Sequence, residues 1–243
     1  MKANSLSIPV LLVFMILGSS VAYCQGGSCT GHEVLPICTG DFICHFENEY
    51  CGTASGTIGF CTGSWGQGIC TEGAGYVDLG DDDFYSSQMI EIECQVIFTQ
   101  LPDKAKGDHA AGLVTKYKNH LPGESEWGLF VEGSFTEQSW YWELCGDGTQ
   151  CISSSVGVGL NTLYCVRAWI CRNGYGEIWI NGVKVASGTI AINPANTATP
   201  VRIGNSASGE NYFHGMIDEV RIGCVNTIGV EQSTWGSIKS LYR

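Results

Sequence analysis

Short runs of alternating apolar and polar residues, punctuated by glycine-rich turns, fill most of this chain. The strongest run spans 89–98. Ile90, Ile92, Cys94, Val96 and Phe98 share one face, and Glu91, Glu93 and Gln95 share the other. A period of two marks a half-buried strand, so the first set is expected in a core and the second in solvent. The same pattern predicts strands over 42–47, 76–79, 111–116, 127–132, 139–144, 163–171, 176–181, 183–188, 200–204 and 213–222. In the last of these, Met216, Asp218 and Val220 alternate with Ile217, Glu219 and Arg221. Asn173-Gly174 and Asn181-Gly182 supply tight hairpin turns, because both residue types tolerate positive φ. The run Asp81-Asp82-Asp83 reads as a solvated turn. No long helical period and no tandem repeat occurs, and the one expected helix is a short piece within 230–242, capped near Ser233. The chain is therefore expected to be all-β.

The ends and the cysteines set the compartment. Lys2, an apolar run over 8–17 and small residues after it make residues 1–24 a secretory signal peptide, too short for a comfortable membrane span. Thirteen cysteines stand in the chain, and cleavage after Cys24 leaves an even twelve. Export with an even count implies disulfides and an oxidising compartment. Residues 25–40 are a Cys-containing lead-in, and 41–243 form one domain. Cys145 and Cys151 flank a five-residue turn and are expected to pair across it. Cys165 and Cys171 lie six strand steps apart, roughly 20 Å, so they cannot pair with each other. Cys29, Cys38, Cys44, Cys51, Cys61, Cys70, Cys94, Cys165, Cys171 and Cys224 are expected in bridges whose connectivity stays open. No C-x-x-C pair exists, which argues against zinc.

The net charge of −12 argues against nucleic acid and anionic membrane as partners, since phosphate binding needs clustered Lys and Arg. No N-x-Ser/Thr sequon occurs.

Four stretches, in order, carry a family resemblance. They are Cys44-His45-Phe46-Glu47-Asn48, Gly73-Ala74-Gly75-Tyr76-Val77-Asp78-Leu79-Gly80, Glu177-Ile178-Trp179-Ile180-Asn181-Gly182-Val183, and Gly215-Met216-Ile217-Asp218-Glu219-Val220-Arg221-Ile222. Together they resemble the laminin-G-like, concanavalin A-like lectin and glucanase family. The tail over 237–242 resembles the family's final helix, while the cysteine load is heavier than usual there. The resemblance implies a two-sheet antiparallel jelly-roll sandwich, stapled here by disulfides. It also implies calcium on Glu47 and Asp218, if the opening and closing strands are neighbours.

The candidate chemistry divides three functions. Some enzymes of this fold carry E-x-D-x-E on one strand. Glu91 and Glu93 echo it, but Gln95 stands where the third acid belongs, and an exposed strand face is the plainer reading. None of the five histidines lies beside a G-x-S-x-G, so no serine-hydrolase signature is present. Aromatic residues are many, and sugar faces stack on such rings. Trp140 and Trp142 share a face with Leu144 and read as core. Trp169 and Trp179 read as a cross-strand pair, while Tyr175 and Tyr212, in turn-rich contexts, are the candidate ligand contacts. The expected function is a secreted, non-catalytic module that binds extracellular glycan. The alternative is an adhesion or structural protein that binds a cell-surface protein or its own copies, and a glycoside hydrolase is third.

Overall fold

The computed structural model describes residues 42–224, apart from 63–65, 87–88, 104–108, 120, 134–138, 149, 172–173 and 191–195. The signal peptide, the lead-in with Cys29 and Cys38, and the helix expected within 230–242 lie outside the described residues.

Among the described residues fifteen strands follow one another: β1 (Phe42–Cys44), β2 (Thr53–Ser55), β3 (Ile58–Thr62), β4 (Gln67–Glu72), β5 (Tyr76–Gly80), β6 (Met89–Phe98), β7 (Ala110–Lys116) and β8 (Trp127–Gly133). After these come β9 (Trp140–Cys145), β10 (Cys151–Gly157), β11 (Leu163–Cys171), β12 (Tyr175–Ile180), β13 (Val183–Thr189), β14 (Val201–Ile203) and β15 (His214–Cys224). They make two antiparallel sheets. One is ordered β13-β12-β11-β6-β15-β4-β3, with β1 also paired to β15; the other is ordered β10-β9-β8-β7-β14-β5-β2. This is the two-sheet jelly-roll sandwich that the family resemblance implies. A single 3-10 turn over Asp83–Ser86 is the only helical piece among the described residues. None of them forms a helix long and apolar enough to cross a membrane.

The alternation along β6 decides which residues fill the sandwich. Ile90, Ile92, Cys94, Val96 and Phe98 are all buried in one core with Trp142, Leu144, Val166, Ala168, Ile178 and Ile217. Phe98 meets Trp142 and Phe213 edge-on, at centroid distances of 6.0 and 4.8 Å. Gly215, the glycine before the closing motif, has φ 145°, and a Cβ there would sit 2.0 Å from the Ile97 carbonyl oxygen. Only glycine lets β15 enter the sheet so close to β6. At the turn between β12 and β13, Asn181 and Gly182 have φ of 51° and 79°, the tight geometry their sequence predicts.

Three expectations need correction. The outward face of β6 is largely covered: Glu91 is 3% exposed and Gln95 7%, and only Glu93 between them stays part-exposed. Arg167 from β11 and Arg221 from β15 flank β6 and pair with its acids, which lets charge sit under cover. The period of two in β15 breaks between Asp218 and Arg221, where the register against β6 shifts. Glu219 takes φ 50° in that bulge, so Ile217, Val220 and Ile222 are the apolar residues of β15 that enter the core. Trp169 and Trp179 are not directly opposed; each faces another residue across the ladder, Glu177 and Arg167 respectively.

The structure joins Cys44 to Cys51, Cys61 to Cys70, and Cys145 to Cys151. Cys145 and Cys151 are cross-strand partners with Cα atoms 4.1 Å apart. Cys165 is disulfide-bonded as well. Contrary to expectation, Cys94 and Cys171 are free thiols. Cys94 points into the core among aliphatic side chains, where it packs as a small hydrophobe. Burial, with Glu93 nearby, pushes its pKa up to about 12, so it is unreactive. Cys171 lies on the other face of its sheet, across from Met89 and Tyr175.

Candidate functional site

The opening and closing strands are neighbours. Cys44 is the register partner of Val220, and β1 runs antiparallel to β15. Just beyond β1 the chain turns, with Phe46 at φ 51° and Asn48 at φ 65°. This turn brings Glu47 to the start of β4, where its Oε1 accepts the Gln67 backbone N–H at 3.2 Å. Asp218 lies on the neighbouring strand. A Cβ at Gly68 would be 3.1 Å from the Asp218 Cβ, and a Cβ at Gly66 would be 1.9 Å from Glu47 Oε1. Two glycines in β4 and its approach therefore make the room in which both carboxylates sit.

Asp218 is 1% exposed. Its Oδ1 accepts the Glu219 backbone N–H at 2.8 Å. Burial first, then the charges of Glu219 and Glu47, push its pKa up to about 6, against the pull of that hydrogen bond and of His45. His45 meets Glu219 at 2.7 Å. Two glutamines stand at adjoining backbone positions. Gln95 stands directly across from Asp218 in the β6–β15 ladder, and Gln67 is the residue against Glu47. The side-chain oxygens of both are buried and accept no hydrogen bond. Carboxylates crowded in a poorly solvated place are groups that could hold a hard cation. An all-oxygen set of this kind would suit calcium rather than zinc. Sequence reasoning named Glu47 and Asp218 and missed the glutamines. Gln95 was visible only as a missing acid, and nothing in the residue types marked Gln67.

Among the described residues one cluster of three metal-type side chains exists, Glu143 with Cys145 and Cys151. Its two cysteines are joined to each other, so they offer no thiolate to a metal.

The acid pair on β6 is engaged. Arg167 forms an ion pair with Glu91 and another with Glu93 at 3.5 Å. Arg221 reaches Glu93 at 3.2 Å and Glu91 at 3.9 Å. Two carboxylates thus face two guanidinium groups across three strands. A glycosidase needs one free nucleophile or base and one protonated acid with a raised pKa. Flanking guanidinium groups occupy both carboxylates, which suits a structural ladder.

The two candidate tyrosines are far apart. Tyr175 opens β12 and faces Cys171, which in turn faces Met89 at one end of β6. Tyr212 lies just before β15, whose Gly215 faces Phe98 at the other end of β6. The length of β6 separates them by roughly 30 Å, so they belong to different surfaces. Tyr175 is exposed, and its hydroxyl donates to Glu177 Oε1 at 3.2 Å. Tyr212 is half-buried.

Residues 73–223 match the family model described as the concanavalin A-like lectin/glucanases superfamily. Solved structures similar to this chain include domain 4 of AbnA, an extracellular GH43 arabinanase from Geobacillus stearothermophilus, in complex with arabinotriose. That match has 18% identity, covers 84% of this chain and 88% of that one, and has a TM-score of 0.48. The binding domain of Paraclostridial Mosquitocidal Protein 1 matches at 16% identity over 74% of this chain and 46% of that one, with a TM-score of 0.49. Alginate lyase Aly36B matches at 13% identity over 76% and 97%, with a TM-score of 0.47. A search of curated proteins finds no match.

Proposed function

The chain belongs to the concanavalin A-like lectin/glucanase superfamily, and from that premise we propose that it acts outside the cell as a non-catalytic module that recognises carbohydrate. The observation that carries the non-catalytic half is the state of Glu91 and Glu93. The one strand bearing an enzyme-like pair of acids has both of them tied to Arg167 and Arg221. The extracellular half is supported by the leader pattern of residues 1–24 and by cysteines joined as disulfides.

Calcium is part of the proposal. Glu47 and Asp218 would hold it, with Gln95 across the ladder from Asp218 and main-chain oxygens completing the set. When bound, it supplies the positive charge that the buried Asp218 otherwise lacks. The residues themselves connect β1, β4, β6 and β15, so the ion braces the end of one sheet.

A glycan array probed with the mature protein in calcium tests the carbohydrate half. Reproducible retention on a defined set of glycans is expected. An array without hits at high protein concentration contradicts it and favours a protein ligand instead.

A further inference from the structure

The outward face of β11, β12 and β13 carries a second arrangement that the cation site does not use. In β12, Tyr175, Glu177 and Trp179 alternate onto that face, and Trp169 of β11 is the register partner of Glu177. Three rings therefore surround one carboxylate. Glu177 Oε2 accepts the indole N–H of Trp169 at 3.1 Å and that of Trp179 at 3.0 Å. Its Oε1 accepts the Tyr175 hydroxyl at 3.2 Å and the Lys184 ammonium at 3.1 Å. Four donors fill the roughly four acceptor positions of a carboxylate.

This hub fixes the rings by their polar edges. A tryptophan whose N–H is taken has only its apolar face left to offer a ligand. Trp169 and Tyr175 lie 5.5 Å apart at 49°, and Lys184 stands 5.6 Å from the Trp179 ring centre. Tyr175 is 37% exposed, and Trp169 and Trp179 are half-buried. Beside them on β13, the exposed Ser187 and Thr189 face Glu177 and Tyr175 across the ladder, which places hydroxyls at the rim. Tyr175 and Trp179 stand four strand steps apart, about 13 Å. That spacing suits successive units of a chain better than a single sugar.

Charge narrows the ligand. On this sheet face Glu91 and Glu93 pair with Arg167 and Arg221, and Glu177 pairs with Lys184. Three acids meet three bases on a protein whose net charge is −12. An anionic chain is repelled by the protein's overall field. A cationic ligand finds these carboxylates already occupied.

We propose that the Glu177-centred ring cluster of Tyr175, Trp169 and Trp179 is the carbohydrate-binding face, and that it takes an extended, uncharged glycan by stacking. This rests on the carbohydrate reading above and adds its place and its chemistry.

The test is affinity electrophoresis and titration of the mature protein with neutral chains (hydroxyethyl cellulose, arabinan and galactomannan) and anionic ones (alginate and heparin), in calcium, at low and high salt. Retention by a neutral chain is expected, with affinity changing less than about twofold with salt, because no counterions are released. Ligand should shift tryptophan fluorescence. Tyr175→Ala, at an exposed position that tolerates truncation, should weaken binding about fivefold, the scale of one lost aromatic contact. Glu177→Gln, which unpins the indoles without removing a ring, should weaken it as well. Salt-sensitive retention on alginate or heparin that ignores Tyr175→Ala overturns this inference and leaves the carbohydrate reading standing. Retention on neutral chains unchanged in Tyr175→Ala and Glu177→Gln overturns the placement. Self-association that Tyr175→Ala dissolves shows that a second copy covers this face, and overturns it too. Retention on no glycan at all overturns both readings.

Discussion

Asp218 is a carboxyl held at 1% exposure with a pKa pushed up to about 6, chiefly by burial. The sign of its effect on stability follows directly. An acid whose folded pKa exceeds its unfolded value of about 3.9 stays protonated in the native state while the unfolded chain ionises. Without a cation, stability should therefore fall as pH rises from about 4 to 6, by roughly 2–3 kcal/mol, and then level off. Calcium should reverse this, because it favours the ionised form. At pH 7.5 in EDTA, Asp218→Asn is expected to raise the melting temperature. In millimolar calcium the same variant should melt below the parent and lose its calcium response. At a hundredfold excess over Kd, calcium should add about 2.7 kcal/mol to the parent. Thermal melts of both proteins, with and without calcium, check the inversion. A parent whose melting temperature ignores calcium would remove the metal from the account. The proximity of Glu47 and Asp218 was legible because the opening and closing motifs are local in sequence. Gln67 and Gln95 were not, since an amide becomes a candidate ligand only once burial takes away its donors.

At the level of elements, most strands were legible from their alternation, and the bounds of β6 and β11 matched the pattern. The short strands β2, β3, β4 and β10 were not read, because they are built from Gly, Ser, Thr and Cys with few large apolar residues. The bulge in β15 was invisible as well. It depends on Glu219 adopting φ 50° so that Val220 can turn inward, which a strict period of two does not foresee. Nor did the pattern show that the acids of β6 would be covered, since their guanidinium partners sit far away in the chain. Two junctions can be tested. Lys116, fully buried at the end of β7, pairs with Asp81 and Glu126 and donates to the Thr197 and Thr199 carbonyl oxygens at 3.1 and 2.9 Å. Lys116→Met leaves that oxygen cage without its cation and is expected to cost about 3–5 kcal/mol, read by urea denaturation. Replacing both Cys145 and Cys151 by serine opens only the short loop between β9 and β10. The loop-entropy relation gives a loss of about 2 kcal/mol, and a loss far above that would mean the bond does more than restrict the unfolded chain.

As a whole molecule, the protein is a sandwich whose chemistry lies at strand ends and on an outward face rather than in its core. The core carries the alternating apolar residues, as their period demands. One sheet carries both the buried Asp218 and the ring cluster at Glu177, and between them Glu91 and Glu93 of β6 pair with Arg167 and Arg221. The proposed role is to hold a glycan chain against that face without cutting it, the acid pair of β6 being engaged by Arg167 and Arg221. Retention of a neutral glycan and release of reducing ends from it, followed in the same tubes over hours, is the most direct test of that claim. The account predicts saturable retention in calcium with no reducing ends above the protein-free blank. Reducing ends that accumulate with protein, and stop in Glu91→Gln or Glu93→Gln, would contradict it.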